Sequence, residues 1–540
     1  MKWVSTNTSG AGPDKRLSTS FPIQFAGLLF LVFLLKLPTL FDPPMWDTAT
    51  GLFPAALMLS QNGFDLGEVL SAPGYGVGGP NTHATSPITL LTAVVLRLGG
   101  AQALTLLHLI HYGITALGLT FLYRLAQPAL GTRNAAVLTI ASLVFPLFFV
   151  QAGRLYMEMP LFLCAAGMLY AHANGRLLVS IVWASAAFAV KENGIVVPAT
   201  LAVLLLMEPR PMKERLLRTT MALAPSVVIL GFPAMMALGN LTNGEQPTYQ
   251  LFPAPMEALA RLGRDVERFL FRVPDVLVLM ILFVVSLPSQ IPDLIRGLGS
   301  PAPASIPDSQ GTSYRLRLKS SLTLLIAAYL GLYFVALPLV ANFTLILPRY
   351  HTLVVPFLIL WIALRIDQEW GPRITLGFLG ALILLGAVNH RGILYPSDVD
   401  TAGQGSDFAL TERSMAYRDL NRIRVEAWDH LVRVAGDHPA FYGHYEHYLN
   451  HYPGLGYTPE PLSNGRLMHQ EHQWRSVVQE SPCAFALYNE HALGGERIRT
   501  LAEEAAPALG MDHDTVAVYS HGPYVAIIHR FQRTAGACQD

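Results

Sequence analysis

Transfer of a group to a hydroxyl needs a carboxylate that can take a proton, and a phosphate leaving group needs cations that hold it by charge-assisted hydrogen bonds. This sequence keeps both residue types in costly places. Asp47 follows Pro43-Pro44 just beyond the first long apolar run, residues 21–40, in a stretch from Phe41 to Leu96 without a Lys or Arg. Arg154 and Glu158 flank Leu155-Tyr156-Met157 between two apolar runs, Lys191 and Glu192 stand between two more, and Arg349-Tyr350-His351 precedes another. Ionisable groups at membrane depth face cavities, pair with one another or do chemistry. Snorkelling at a helix end relieves much of the cost, so any one of them alone reads equally well as an interfacial anchor. Asp47 is the expected general base, ahead of Asp42, Asp65 and Glu68, because it follows the proline break and precedes an apolar surface helix. Lys191, Arg349, Arg268 and Arg272 are the external cations nearest helix mouths, and Lys191, Arg349 and one or more of Arg268 and Arg272 are expected to contact a phosphate.

The elements that must position these residues are membrane helices. A chain of 540 residues that is 52% hydrophobic and 14% charged, with a mean hydropathy of +0.38, is expected to be a polytopic membrane protein rather than a soluble one. Its 37 Lys and Arg balance its 37 Asp and Glu, so overall charge argues neither for nucleic acid nor for a strongly anionic partner, and no nucleic-acid partner is expected. Runs able to span a bilayer fall at 21–40, 101–123, 134–151, 156–173, 177–191, 193–207, 219–238, 274–290, 321–340, 352–366 and 374–388, about eleven helices. Lys2, Lys15 and Arg16 precede the first run, which reads as an uncleaved signal anchor.

Cationic residues mark alternate connections: Arg124 and Arg133, then Arg176, then Arg210 to Arg218, then Arg296 to Lys319, then Arg365 and Arg373. Cytoplasmic loops are enriched in this way, so the N-terminus is expected inside and Asp47, Arg154, Glu158, Lys191 and Arg349 on one outer side. That register makes Pro87 to Leu98 and Gly51 to Ser60 surface helices of an external loop, 41–100, rather than spans. A further external loop holds an amphipathic helix, Met256 to Arg272, with Arg261, Arg264, Arg268 and Arg272. Residues 298–314 read as a cytoplasmic linker.

After about residue 392 the composition turns polar. The expected architecture is therefore a mainly α, polytopic domain over 1–391 and a soluble extracytoplasmic α/β domain over 392–540. A helix is expected over 411–435, with strands near 440–442, 484–488, 516–520 and 524–530 and a hairpin turn at His521-Gly522-Pro523. Of three cysteines, Cys164 lies in an apolar run, while Cys483 and Cys538 could be bridged if this part is extracytoplasmic. His438, His444, His447 and His451 are close in sequence, with His469 and His472 behind, yet they match no zinc motif and no metal site is expected. His108 and His111, in an apolar run, read as helix-packing residues.

The order of Asp47, Pro87-Ile88 opening a surface helix, Glu158-Met159-Pro160 opening the fourth span, Lys191 ending the fifth, and Arg349-Tyr350 before a Pro-containing run resembles the GT-C glycosyltransferases. The resemblance covers roughly residues 20–390 and is strongest to the branch with the protein O-mannosyltransferases and the lipid A aminoarabinose transferases. It implies metal-independent, inverting transfer of a sugar from a polyprenyl phosphate to a hydroxyl of a glycan, lipid or protein acceptor outside the membrane. No cofactor is implied beyond that donor. Asp47 matches the acid of the first loop, Glu158 a second acid lining the cavity and Lys191 a cation near the site; Glu158 is further expected to orient the acceptor or the base, and Arg349 and Tyr350 to bind substrate or phosphate. Many relatives carry Asp-Glu where this chain has Asp47-Thr48, and a Lys where it has Ser86; His83 or an Arg of the external helix would then complete the phosphate clamp. A bacterial inner membrane is the expected location. A transporter or flippase for an anionic or lipid-linked substrate is the competing reading. Polar residues gathered at one face, rather than near the midplane, favour the enzyme.

Overall fold

The computed structural model of the chain describes residues 20–44, 48–71, 84–242, 274–299, 311–336, 348–390, 415, 417–442, 462, 464–467, 481–489, 510–521, 524–533 and 538. It is mainly helical. Helix α1 (Phe21–Lys36) leads, through a short 3-10 turn, to the first loop, which holds α2 (Phe53–Gln61), α3 (Leu66–Ser71) and α4 (Pro87–Gly99). Thus the stretches expected as surface helices are helical, and a π turn at Thr48–Leu52 feeds the first of them. Next come α5 (Ala103–Val144), α6 (Pro146–Gly153), α7 (Glu158–Ala173), α8 (Leu177–Val190), α9 (Val196–Leu206) and α10 (Met212–Thr242). After these stand α11 (Pro274–Gly299), α12 (Gly311–Gly331), α13 (Val355–Glu369) and α14 (Pro372–Asn389).

The two apolar runs expected over 101–151 are two helices that meet at a kink at Gly131 (φ 79°, ψ 164°), a positive-φ conformation that glycine adopts without penalty, and α5 runs across that kink. Pro146 then opens α6, where its missing N–H costs nothing. Among the described residues, helices stand at each position expected to span, with 337–340 of the run 321–340 outside them. Three described stretches, Phe21–Thr39, Pro87–Val144 and Pro372–Asn389, are long and apolar enough to cross a membrane, and four more apolar helices are shorter. The largest apolar cluster among the described residues is centred on α5, α7 and α13, with Phe162 edge-on to Phe148 at 5.0 Å and 6.0 Å from Phe357, and a smaller one joins α2, α3 and α4.

The C-terminal elements are α15 (Tyr417–Ala435) and strands β1 (Ala440–Tyr442), β2 (Gly465–Leu467), β3 (Cys483–Asn489), β4 (Asp512–His521) and β5 (Tyr524–Gln532). They form one mixed sheet in the order β2-β1-β3-β5-β4, with β1 parallel to β2 and β3, and β5 antiparallel to β3 and β4. β2 was not expected from the sequence. Trp428 and Leu431 of α15 pack on Tyr442, Phe485 and Ile528 of the sheet. Cys483 and Cys538 are bridged, with their Cα atoms 5.3 Å apart. Cys164 is buried and free.

Candidate active site

Three helix ends converge on Glu158. It opens α7, where the exposed N–H groups and the helix dipole favour a carboxylate. Lys191 follows α8 in an extended conformation (φ −160°, ψ 150°), so the helix stops and a 3-10 turn, Glu192–Ile195, leads into α9. Gly194 makes that break feasible: a Cβ there would lie 2.1 Å from the Ala187 carbonyl oxygen. Arg349 and Tyr350 come from a 3-10 turn, Pro348–Leu353, ahead of α13, and the Tyr333 hydroxyl donates to the Tyr350 carbonyl at 2.6 Å.

The side chains meet there. Lys191 Nζ donates to Glu158 Oε1 at 3.2 Å, and Arg349 Nε lies 3.9 Å from the same oxygen. The Tyr350 ring lies 4.8 Å from the Lys191 ammonium and 5.2 Å from the Arg349 guanidinium. All three charged side chains are buried, so each ion is costly except beside its partners. The trio carries more positive than negative charge, an environment suited to an anion. Glu158, Lys191, Arg349 and Tyr350, inferred from scattered places in the sequence, are thus one cluster.

Beside it, Arg154 Nη2 donates to the Tyr156 hydroxyl at 2.9 Å, and the Tyr156 ring lies 5.6 Å from the Arg349 guanidinium. Asp42, Pro43, Pro44, Thr48, His108, Arg154 and Tyr156 line a small cleft whose rim is completed by Tyr417. Thr48 is pinned there by donating to the Leu155 carbonyl at 3.1 Å. The two described residues that bracket positions 45–47, Pro44 and Thr48, therefore both lie on this cleft. A second, more apolar cleft runs between α2, α4 and α5 and reaches Tyr156 and Pro160.

The position where relatives are expected to carry a Lys is informative. Ser86 is buried, and its hydroxyl donates to the Val190 carbonyl at 2.8 Å, one residue from Lys191. In this chain the position ties the surface helix α4 to the end of α8, next to the lysine that is present. The acids passed over in the first loop have structural partners: Asp65 Oδ1 accepts from Gly67 N at 2.9 Å, Glu68 accepts from Asn62 at 3.1 Å, and both oxygens of Asp42 are engaged by α15. His108 and His111 bond the carbonyls of Asp42 and Gln151, as expected of packing residues.

Asp47, His83, Arg268 and Arg272 lie outside the described residues, as do Arg261, Arg264, residues 300–310 of the linker and His444, His447, His451, His469 and His472. Among the described residues no group of three or more His, Cys, Asp and Glu could hold a metal ion. Lys36 escaped the sequence reading. It is fully buried at the end of α1, donates to the Phe149 carbonyl and lies over that residue's ring, and so holds α6 just before Arg154. A lone cation inside an apolar run is the signal that marks it.

No protein-family model matches this sequence, and neither does any curated protein sequence. Among solved structures, the chain is similar to ArnT from Cupriavidus metallidurans bound to undecaprenyl phosphate, with 15% identity, a TM-score of 0.50, and coverage of 96% of this chain and 99% of that one. The apo state of the same protein gives the same identity and coverage with a TM-score of 0.44. The expected likeness to the lipid A aminoarabinose transferase branch therefore holds at the level of fold, over nearly the whole of both chains.

Proposed function

We propose that this chain is an integral membrane glycosyltransferase, moving a hexosyl or pentosyl group from a polyprenyl-phosphate carrier to an acceptor hydroxyl at the outer face of the membrane. The observation that carries the reading is the gathering of Lys191, Arg349 and Tyr350 on Glu158, in a fold shared with a protein crystallised with undecaprenyl phosphate.

Asp47 takes the proton of the acceptor hydroxyl, and the oxygen attacks the anomeric carbon on the face opposite the phosphate. The bond from that carbon to the phosphate oxygen breaks, the phosphate leaves with the electron pair, and the configuration inverts. Lys191 and Arg349, with Arg268, Arg272 and His83, stabilise the departing charge, and Tyr350 packs beside it. Glu158 holds the two central cations in place and orients the acceptor or the base. A lipid phosphate is already a good leaving group, so acid–base assistance matters mainly on the acceptor side.

Eleven membrane helices, a cytoplasmic N-terminus and an extracytoplasmic domain over 392–540 complete the proposal, with a bacterial inner membrane as its setting. The Cys483–Cys538 bridge supports that side for the C-terminal part, because disulfides persist in oxidising compartments. An alkaline phosphatase fused at the C-terminus should be active, and activity only from a cytoplasmic reporter would overturn the topology. The test of function is transfer of label from radiolabelled polyprenyl-phosphate sugars by the purified wild type. Movement of a lipid-linked substrate across vesicles without covalent transfer would establish the transporter instead.

A further inference from the structure

The C-terminal helix reaches the candidate site, and the mechanism above gives it no task. Its approach is anchored where Met415 N donates to the His390 carbonyl at the end of α14, at 2.9 Å. Tyr417, 1% exposed, donates its hydroxyl proton to Asp42 Oδ2 at 2.8 Å, and Arg418 Nε donates to Asp42 Oδ1 at 3.1 Å. Neighbouring residues of one helix thus hold both oxygens of one carboxylate. Burial, and after it the Asp42 charge, raise the Tyr417 hydroxyl well above the usual tyrosine range, so it remains a donor at neutral pH. The same ring lies 4.8 Å from the Arg154 guanidinium, and Arg154 bonds Tyr156, whose ring lies beside Arg349. Val150 and Tyr156 belong to the same apolar cluster as Tyr417, Trp428 and Phe485. Tyr417 therefore touches two walls of the cleft: Asp42, which precedes the proposed base in the chain, and Arg154, which leads to the cation cluster.

We propose that Tyr417, with Arg418, is a positioning residue for the transfer: α15 fixes Asp42 and Arg154, and so holds two walls of the cleft beside the Glu158, Lys191 and Arg349 cluster. Its kinetic consequence rests on the transferase reading; the contacts themselves do not. Small misplacements of reacting groups lower turnover steeply, so a positioning residue acts on kcat rather than on donor KM.

The test uses the full-length purified protein and the Tyr417→Phe variant, which keeps the ring against Arg154 and removes only the donor. The expected result is a fall in kcat per folded molecule of roughly tenfold, the effect of losing a hydrogen bond to a charged group, with donor KM unchanged and the protein still folded at the assay temperature. Asp42→Asn should fall similarly, and the double variant should be no slower than the slower single, because one contact is being removed twice. Hydrogen–deuterium exchange supplies a readout that needs no turnover: peptides covering 37–44 and 150–157 should exchange faster in Tyr417→Phe. Unchanged kcat with unchanged exchange overturns the proposal, and so does a lower melting temperature with kcat per folded molecule retained. If the wild type transfers no sugar from any polyprenyl phosphate, the transferase reading fails by itself. Exchange then decides alone, faster exchange in both peptides supporting the positioning contact and unchanged exchange overturning it.

Discussion

The helix ends around Lys191 bury their charges, whereas at the opposite ends the pairs run from half-buried, as in Arg218–Glu208, to exposed, as in Arg210–Glu214. Glu158, Lys191 and Arg349 have side chains only 1%, 6% and 3% exposed. At the far ends of α9 and α13, Arg210 pairs with Glu208 and Glu214, Arg218 with Glu208, and Arg365 with Glu369, and the Arg210–Glu214 side chains are 46% and 44% exposed. Exposed pairs of this kind contribute about 0–1 kcal/mol. Taking an ion out of water costs several kcal/mol, and replacing a buried pair by apolar groups is often neutral for stability. A buried cluster is thus a poor device for stability alone. Its presence at one end points to chemistry there, and the exposed pairs at the other point to loops and solvent.

The largest effect that would sharpen this contrast comes from Asp47. Asp47→Asn keeps the size of the side chain and removes its basicity, so turnover should fall about 10²–10⁴-fold with expression and donor binding nearly intact. Near-normal turnover in this variant, with Glu158→Gln inactive, would show that the two roles are reversed.

Next in size is the stability of the cluster. Glu158→Gln removes the shared partner of two buried cations, and melting experiments should show a loss of about 3–5 kcal/mol, with turnover reduced less than in Asp47→Asn. The double variant Glu158→Gln/Lys191→Met removes a charge of each sign and should recover part of that stability while losing transfer. Recovery of transfer with it would break the contrast, because the charges would then be structural. Cys483→Ser opens the bridge to Cys538, and denaturant unfolding should record a loss of about 2–5 kcal/mol, with little change in donor KM. The smallest effect is expected at the exposed end, where Arg210→Ala should change stability by less than about 1 kcal/mol and leave turnover unaltered.

Much of this was legible in the sequence, for identifiable reasons. Glu158 and Lys191 stood out because each is an ionisable residue between apolar runs, Glu158 opening one span with Pro160 and Lys191 ending the next. The strands β4 and β5 announced themselves as two runs on either side of the turn residues His521-Gly522-Pro523. β2 did not, because Gly465-Arg466-Leu467 is too short to show a period and exists only through its pairing with β1. Asp42 could be passed over as a base from its place in the chain, but its engagement by Tyr417 and Arg418, some 375 residues away, depends on tertiary packing that no local pattern carries. The contacts of Tyr156 with Arg154 and Arg349 were hidden for the same reason, whereas Lys36, a lone cation inside an apolar run, carried a signal that the sequence did offer.

The claim that the buried cluster is a phosphate site, and the exposed one is not, is tested most directly by equilibrium binding of undecaprenyl phosphate to purified protein. Lys191→Ala and Arg349→Ala should each weaken binding about tenfold or more, the effect of losing a contact to a charged group, while Arg210→Ala binds as the wild type does. Equal affinity in all four proteins would contradict the account.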